Sequence, residues 1–171
     1  FFPDHPRRFR DGLDLYRRFF NLAAELGAFY VVFHGAHRGM ELAPGEYARR
    51  YGVLHGAARE EGVWLLHENV ERSLSRDPAF FRALRAQLPD AGFVLDLKQA
   101  ARAGFDPLDM IDAMGPGLRH VHVSDAGPQG LCLPVGQGVL DFPALARAMA
   151  AQGFDGSLIL ELYSSSYRRP G

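Results

Sequence analysis

The 171-residue chain has a single cysteine, Cys132, a single tryptophan, Trp64, and no excess of charge of either sign: nineteen Lys and Arg face twenty Asp and Glu, a formal net charge of −1. One thiol excludes an internal disulfide and any thiolate-only metal cluster, and it fits a reducing compartment. The balanced charge removes the overall basic footprint of a nucleic-acid or anionic-membrane binder. Local stretches such as Arg7-Arg8-Phe9-Arg10 then read first as a solvated helix face. No apolar run approaches the roughly 20 residues that a transmembrane helix needs, and charged residues near the N-terminus stand where a signal peptide needs its apolar core. The expectation is a soluble, cytoplasmic protein without a membrane partner.

What the chain does have is 47 % hydrophobic residues, enough at this length to bury one core, and residues 1–171 read as a single domain. It opens on Phe-Phe-Pro and stops at Arg-Arg-Pro-Gly soon after an apolar run, so we read it as a portion of a longer polypeptide.

Short apolar runs alternate with helical patterns. The runs are FYVVFH ending at His34, VWLLHE ending at Glu68, GFVLD ending at Asp96, RHVHVSD through Asp125, and SLILELY through Tyr163. Helical periodicity falls at about 9–26, 45–61, 78–88, 107–114 and 142–152. Asp77 followed by Pro78 starts one helix, and Gly27, Gly62 and Gly153 stand where helices turn into strands. Such alternation implies a parallel sheet with both faces covered. A doubly wound sheet and a barrel both fit. The polar residues decide for a (β/α)8 barrel, because His34, Glu68, Asp96, His122 and Glu161 all come at strand C-terminal ends, where barrels gather their sites. The only glycine-rich turn of note, Gly136-Gln137-Gly138, lacks the third glycine of a dinucleotide fingerprint.

Strand side chains alternate with period two. Val32 with His34, Leu66 with Glu68, Val94 with Asp96, His120 with His122 and Ile159 with Glu161 therefore share one face. The opposite set, Phe33, Leu65, Leu95, Val121, Val123, Leu160 and Leu162, is apolar as a helix-facing layer requires; His67 is the exception. Three carboxylates and one or two imidazoles converging at a barrel mouth repel and desolvate one another unless a cation neutralises them. Mixed Asp, Glu and His ligation suits Mn, Mg, Co or Zn without choosing among them. Other roles stay open: Glu68-Asn69 as a capping pair, Asp96 as a helix cap, His120 as an interior histidine. His37 and Arg38 lie in the loop after the first run, and Lys98 reaches the ligand face only if its strand continues past Asp96. Cys132 has no base at motif spacing, so it is not read as a nucleophile.

LGAFYVVFHG, LLHENV, FVLDLKQA, HVHVSD and LPVGQGVLDF with GFDGSLILELY, in this order and spacing, resemble the fourth to eighth strands of the xylose-isomerase-like TIM-barrel superfamily, which holds sugar and sugar-phosphate isomerases and epimerases and endonuclease IV. The resemblance implies a barrel of which the chain covers about the last five βα units, with three N-terminal strands and the last helix missing. Its open sheet edges would then be covered by the rest of a longer polypeptide or by a partner subunit, and a homo-oligomer is compatible with this. It implies one divalent ion held by Glu68, Asp96, His122 and Glu161, with Glu68 and Glu161 on opposite sides of a small carbohydrate, exchanging a proton through a metal-stabilised enediolate. His34 would sit near a substrate oxygen or a second metal, and His37, Lys98 and Gln99 are further candidates for substrate or second-metal contacts. In the three-zinc endonucleases a histidine stands where this chain has Gln99, and the Asp-x-His before the Gly-x-Gly turn is replaced by Gly130 and Cys132. The expected activity is therefore a sugar or sugar-phosphate isomerase or epimerase. A zinc phosphodiesterase acting at abasic sites and a non-catalytic metal- or ligand-binding barrel are the alternatives.

Overall fold

Proline and aspartate set where the helices begin. Pro6, Pro44, Pro78 and Pro107 open α1 (Pro6–Glu25), α2 (Pro44–Glu60), α3 (Pro78–Gln87) and α5 (Pro107–Met114), where the missing N–H costs nothing. Asp77, Asp106 and Asp141 accept first-turn N–H groups of α3, α5 and α6 (Phe142–Ala151). Gly27, Gly62 and Gly153 follow α1, α2 and α6 with positive φ, the left-handed conformation that ends a helix cheaply only for glycine. In the computed structural model, Phe2 and residues 5–166 are described.

The strands are β1 (Tyr30–Phe33), β2 (Trp64–Glu68), β3 (Gly92–Asp96), β4 (Leu118–Val123) and β7 (Ser157–Leu160). They form one parallel sheet in the order β1-β2-β3-β4-β7, with Val32 opposite Leu66, Glu68 opposite Val94, Asp96 opposite His122, and His122 opposite Ile159. Helices cover the convex face, where Phe33, Leu65, Phe93, Leu95 and Val121 join the core with Tyr51, Phe81, Met110, Ile111 and Leu145. Leu66 and Val94 are buried on the concave face, outside that cluster. The architecture is a parallel-sheet half-barrel.

Four details correct the sequence reading. The run through Asp125 is two elements: β4 ends at Val123, and β5 (Asp125–Gly127) pairs with β6 (Gly130–Leu133) as a separate antiparallel hairpin. Seven residues after Asp96 form α4 (Leu97–Ala103), a helix the periodicity did not reveal. β7 stops at Leu160, so Glu161 lies one residue beyond it. Nor is every strand covered on both faces: Leu158, Ile159 and Leu160 are 58, 52 and 65 % exposed, because β7 is an edge strand with its outer side unpaired among the described residues.

Candidate metal centre

The alternation of strand side chains brings five predicted residues to the C-terminal rim of the sheet. Glu68 ends β2, Asp96 ends β3, and His122 is the penultimate residue of β4. One ligand atom from each lies within 4.8 Å of the other two. Glu161 joins through His122, whose Nδ1 is 2.9 Å from Glu161 Oε2, 3.3 Å from Glu68 Oε1 and 3.8 Å from Asp96 Oδ2. His34, mostly exposed just after β1, places Nε2 3.0 Å from Glu68 Oε2.

These residues suit a divalent ion. Such ions bind carboxylate oxygen and imidazole nitrogen at about 2.1 Å, which spaces neighbouring ligand atoms by about 3.0 Å in an octahedral shell and about 3.4 Å in a tetrahedral one. The 3.3 Å separation falls in that range, the 2.9 Å one just below it and the 3.8 Å one to Asp96 Oδ2 above it. His122 Nδ1 and Glu161 Oε2 are both buried without a hydrogen-bond partner although they approach to 2.9 Å. Without hydrogen-bond alignment between them, both atoms are available to bind a common third atom.

Lys98 brings a buried ammonium to the same ring, 3.3 Å from Asp96 Oδ2 and 2.9 Å from Glu161 Oε1. The condition set by the sequence reading, a strand running past Asp96, is not met. The chain turns into α4 at Leu97, and the long side chain of Lys98 reaches the ring from the helix's first turn. Against three carboxylates, one ammonium leaves two negative charges, the number a divalent ion neutralises. The electrostatics follow. Asp96 and Glu68 raise the His122 imidazole to about 9 against its desolvation. Burial opposes ionisation of Glu68, but His122 and His34 outweigh it and hold the carboxyl well below its usual range. Burial likewise opposes the Lys98 charge and is outweighed by Glu161 and Asp96.

Asp96 is the helix cap that the sequence allowed, and it also faces the ring. Its Oδ2 faces the ring while Oδ1 accepts the Gln99 N–H at 3.0 Å as the cap of α4. Asn69 is no capping residue: its side chain locks β2 to β3, donating to the Asp96 carbonyl at 2.9 Å and accepting the Asp96 N–H at 2.7 Å. His37 and Gln99 are not brought to the ring. His37 is exposed and accepts the Gly39 N–H; Gln99 Oε1 accepts the Glu71 N–H at 3.1 Å and ties the loop after β2 to α4. His120 lies deeper in the concave face, bonded through Nδ1 to Tyr30 and Ser157 hydroxyls.

Two supporting groups escaped the sequence reading. Buried Asp125 accepts four backbone N–H groups, from Ala126, Gly136, Gly138 and Leu140. The Gly136-Gln137-Gly138 turn thus wraps the chain's own carboxylate, and a Cβ on Gly138 would run into Asp125; the paired glycines beside an aspartate were the available signal. The hairpin held this way sets Cys132 Sγ 3.6 Å from the Glu161 carbonyl. On the convex face, His67 is buried between the Tyr47 hydroxyl at Nε2 and the Glu68 carbonyl at Nδ1, and burial lowers its pKa to about 3. Its apolar-layer position had marked it as an exception without naming a partner.

A family model described as xylose isomerase-like TIM barrel matches residues 1–171. An uncharacterized protein of Mycobacterium tuberculosis is 40 % identical over 80 residues, 46 % of this chain and 29 % of that protein, so the match spans less than a third of this curated relative's length. Among solved structures, a D-tagatose 3-epimerase-like protein superposes with a TM-score of 0.75 at 18 % identity, over 94 % of this chain and 65 % of that one. An IolI protein with a bound zinc atom gives 0.71 at 18 % identity, over 94 % and 63 %. At such identities these structures establish the fold. No helix among the described residues is long and apolar enough to cross a membrane.

Proposed function

The chain belongs to the xylose isomerase-like TIM-barrel family, and from that premise we propose that it carries the metal site of a divalent-metal-dependent isomerase or epimerase of a small sugar or sugar phosphate. The observation that carries this reading is the double engagement of the two glutamates. Each turns one oxygen toward His122, Glu68 Oε1 and Glu161 Oε2, and keeps the other on a proton-bearing partner, His34 for Glu68 and Lys98 for Glu161. The sugar-acting name of the epimerase-like neighbour supports the substrate class.

Glu68, Asp96, His122 and Glu161 would hold the ion, which supplies Lewis-acid polarisation of a carbonyl when bound. The remaining work falls to the chain. The Lys98 ammonium, 2.9 Å from Glu161 Oε1, fixes the orientation of the carboxylate that accepts the proton. Glu68 Oε2 exchanges protons with His34, a titratable imidazole raised by its Glu68 partner and open to solvent. Two carboxylates on β2 and beyond β7, three strand positions apart in the sheet, can serve opposite faces of one carbon.

The test is solvent exchange. The full-length protein with Mn2+ or Co2+ and a panel of ketoses and ketose phosphates in heavy water should place deuterium at the reacting carbon. Glu161→Gln should slow exchange by about 100-fold or more. Absence of exchange with every member of the panel overturns the reading, and a Glu161→Gln variant that loses only thermal stability assigns the site a structural role.

A further inference from the structure

Beside the metal ring the rim carries an open polar pocket of about 390 Å3, lined by Val70, Glu71, Arg72, Gln99 and Arg102. Two guanidinium groups line it, Arg72 and Arg102, and a third, Arg38, stands outside the lining against Glu71, its backbone N–H bonded to the Arg72 carbonyl at 2.9 Å. Among the described residues their opposing charge is Glu71 alone, at 3.5 Å from Arg38 and 3.7 Å from Arg72, distances too long for well-formed bidentate pairs. Arg102 faces the Tyr163 ring, 5.5 Å from its centroid. Three positive charges against one negative leave two unneutralised at this spot, in a chain whose net charge is −1.

The pocket is also tied to the ring. Gln99 accepts the Glu71 N–H through its side chain and donates its own N–H to Asp96, so one residue joins the pocket wall to the metal-facing aspartate. Tyr163 joins them again, with Lys98 Nζ 5.1 Å from the centroid of the ring that Arg102 faces. Through that shared ring the Arg102 guanidinium lies within about 11 Å of the Lys98 ammonium.

We propose that this pocket binds the phosphate of a phosphorylated substrate whose carbon chain lies at the metal ring. The inference rests on the isomerase or epimerase reading and narrows it to phosphate monoesters. A phosphate monoester carries about −1.5 to −2 charge at neutral pH, which matches the two unneutralised positive charges, whereas a carboxylate supplies half of that. Guanidinium forks suit its oxygens in pairs. Gln99, which stands where the three-zinc endonucleases have a metal-binding histidine, then serves as the wall of an anion site.

The experiment is a calorimetric titration of the full chain, loaded with its divalent ion, with methyl phosphate and separately with acetate. Methyl phosphate should bind at least about tenfold more tightly than acetate; Arg72→Gln and Arg102→Gln should each weaken it about tenfold, with the pair removing it, and Arg147→Gln on α6 should leave it unchanged. Coordination by the metal alone would make the arginine variants bind like the wild type, and that result overturns the proposal. Equal binding of acetate overturns the phosphate assignment as well. No sugar or turnover enters this measurement. Phosphate binding without solvent exchange would sink the isomerase reading alone, and exchange without arginine-dependent phosphate binding would sink this inference alone.

Discussion

Lys98 brings a positive charge to the carboxylate ring with 4 % of its side chain exposed, and Asp96 beside it is 2 % exposed. Removing one partner of a buried pair strands the other's charge. Lys98→Met should therefore destabilise the metal-free protein by about 2–4 kcal/mol, the figure reduced because Glu161 is partly solvated. The same variant leaves the ring more negative, so the rise in Tm on adding Mn2+ should be larger than in the wild type. Equal melting of both proteins without metal would show that the ion pairs hold nothing. Asp125 gives the acid-side counterpart. Burial raises its pKa, but the N–H groups of Gly138, Leu140, Ala126 and Gly136 outweigh that and leave it below the ordinary 3.8. A carboxyl depressed on folding contributes stability that is complete above the unfolded value and is lost as pH falls through the folded one. Asp125→Asn should cost about 1–3 kcal/mol at pH 7, with a smaller gap from the wild type at pH 3.5, read from urea midpoints. A gap that stays constant between the two pH values would count against it.

At the scale of elements, the junction of β3 with α4 organises the rim. Because α4 starts directly after Asp96, that residue is strand end, helix cap and ring member together, and the helix carries Lys98 inward and Gln99 and Arg102 toward the neighbouring pocket. Little of this was legible. A seven-residue helix abutting a strand leaves no loop composition to mark it, and seven residues are too few to show a helical period. The β1–α2 connection is set from the convex side: Gly35 has a φ of 80°, and a Cβ there would lie 2.6 Å from the Tyr47 hydroxyl and 2.8 Å from His67 Nε2. The Tyr47–His67 pair thus fills the space beneath the loop that carries His34. Tyr47→Phe leaves a buried imidazole nitrogen without its donor and should lower stability by about 1–3 kcal/mol in urea unfolding. Metal affinity should change little, since His67 faces away from the ring; a large loss of affinity would contradict that separation.

For the whole molecule, an ion that binds the folded state alone stabilises it by mass action, about 2.7 kcal/mol at a free concentration a hundred times Kd. Chelation should lower Tm, and Mn2+, Co2+, Zn2+ or Mg2+ should restore it to different extents. Glu68→Gln and Asp96→Asn should abolish the restoration; a full metal-dependent shift in either variant would place the ion elsewhere.

The alternation of helices and strands, the barrel-type placement of polar residues at strand ends and the common face of His34, Glu68, Asp96, His122 and Glu161 were readable from the sequence, because periodicity, capping and side-chain parity are local properties of a chain. The tertiary structure alone decided how those residues are used. It sets the two oxygens of each glutamate on different partners, brings Lys98 in from a helix, turns Gln99 away to hold Glu71, and, among the described residues, leaves β7 open along its outer edge. These outcomes depend on the register between strands far apart in sequence, and on where a long side chain ends once its backbone has changed direction. Neither leaves a periodic trace in the sequence.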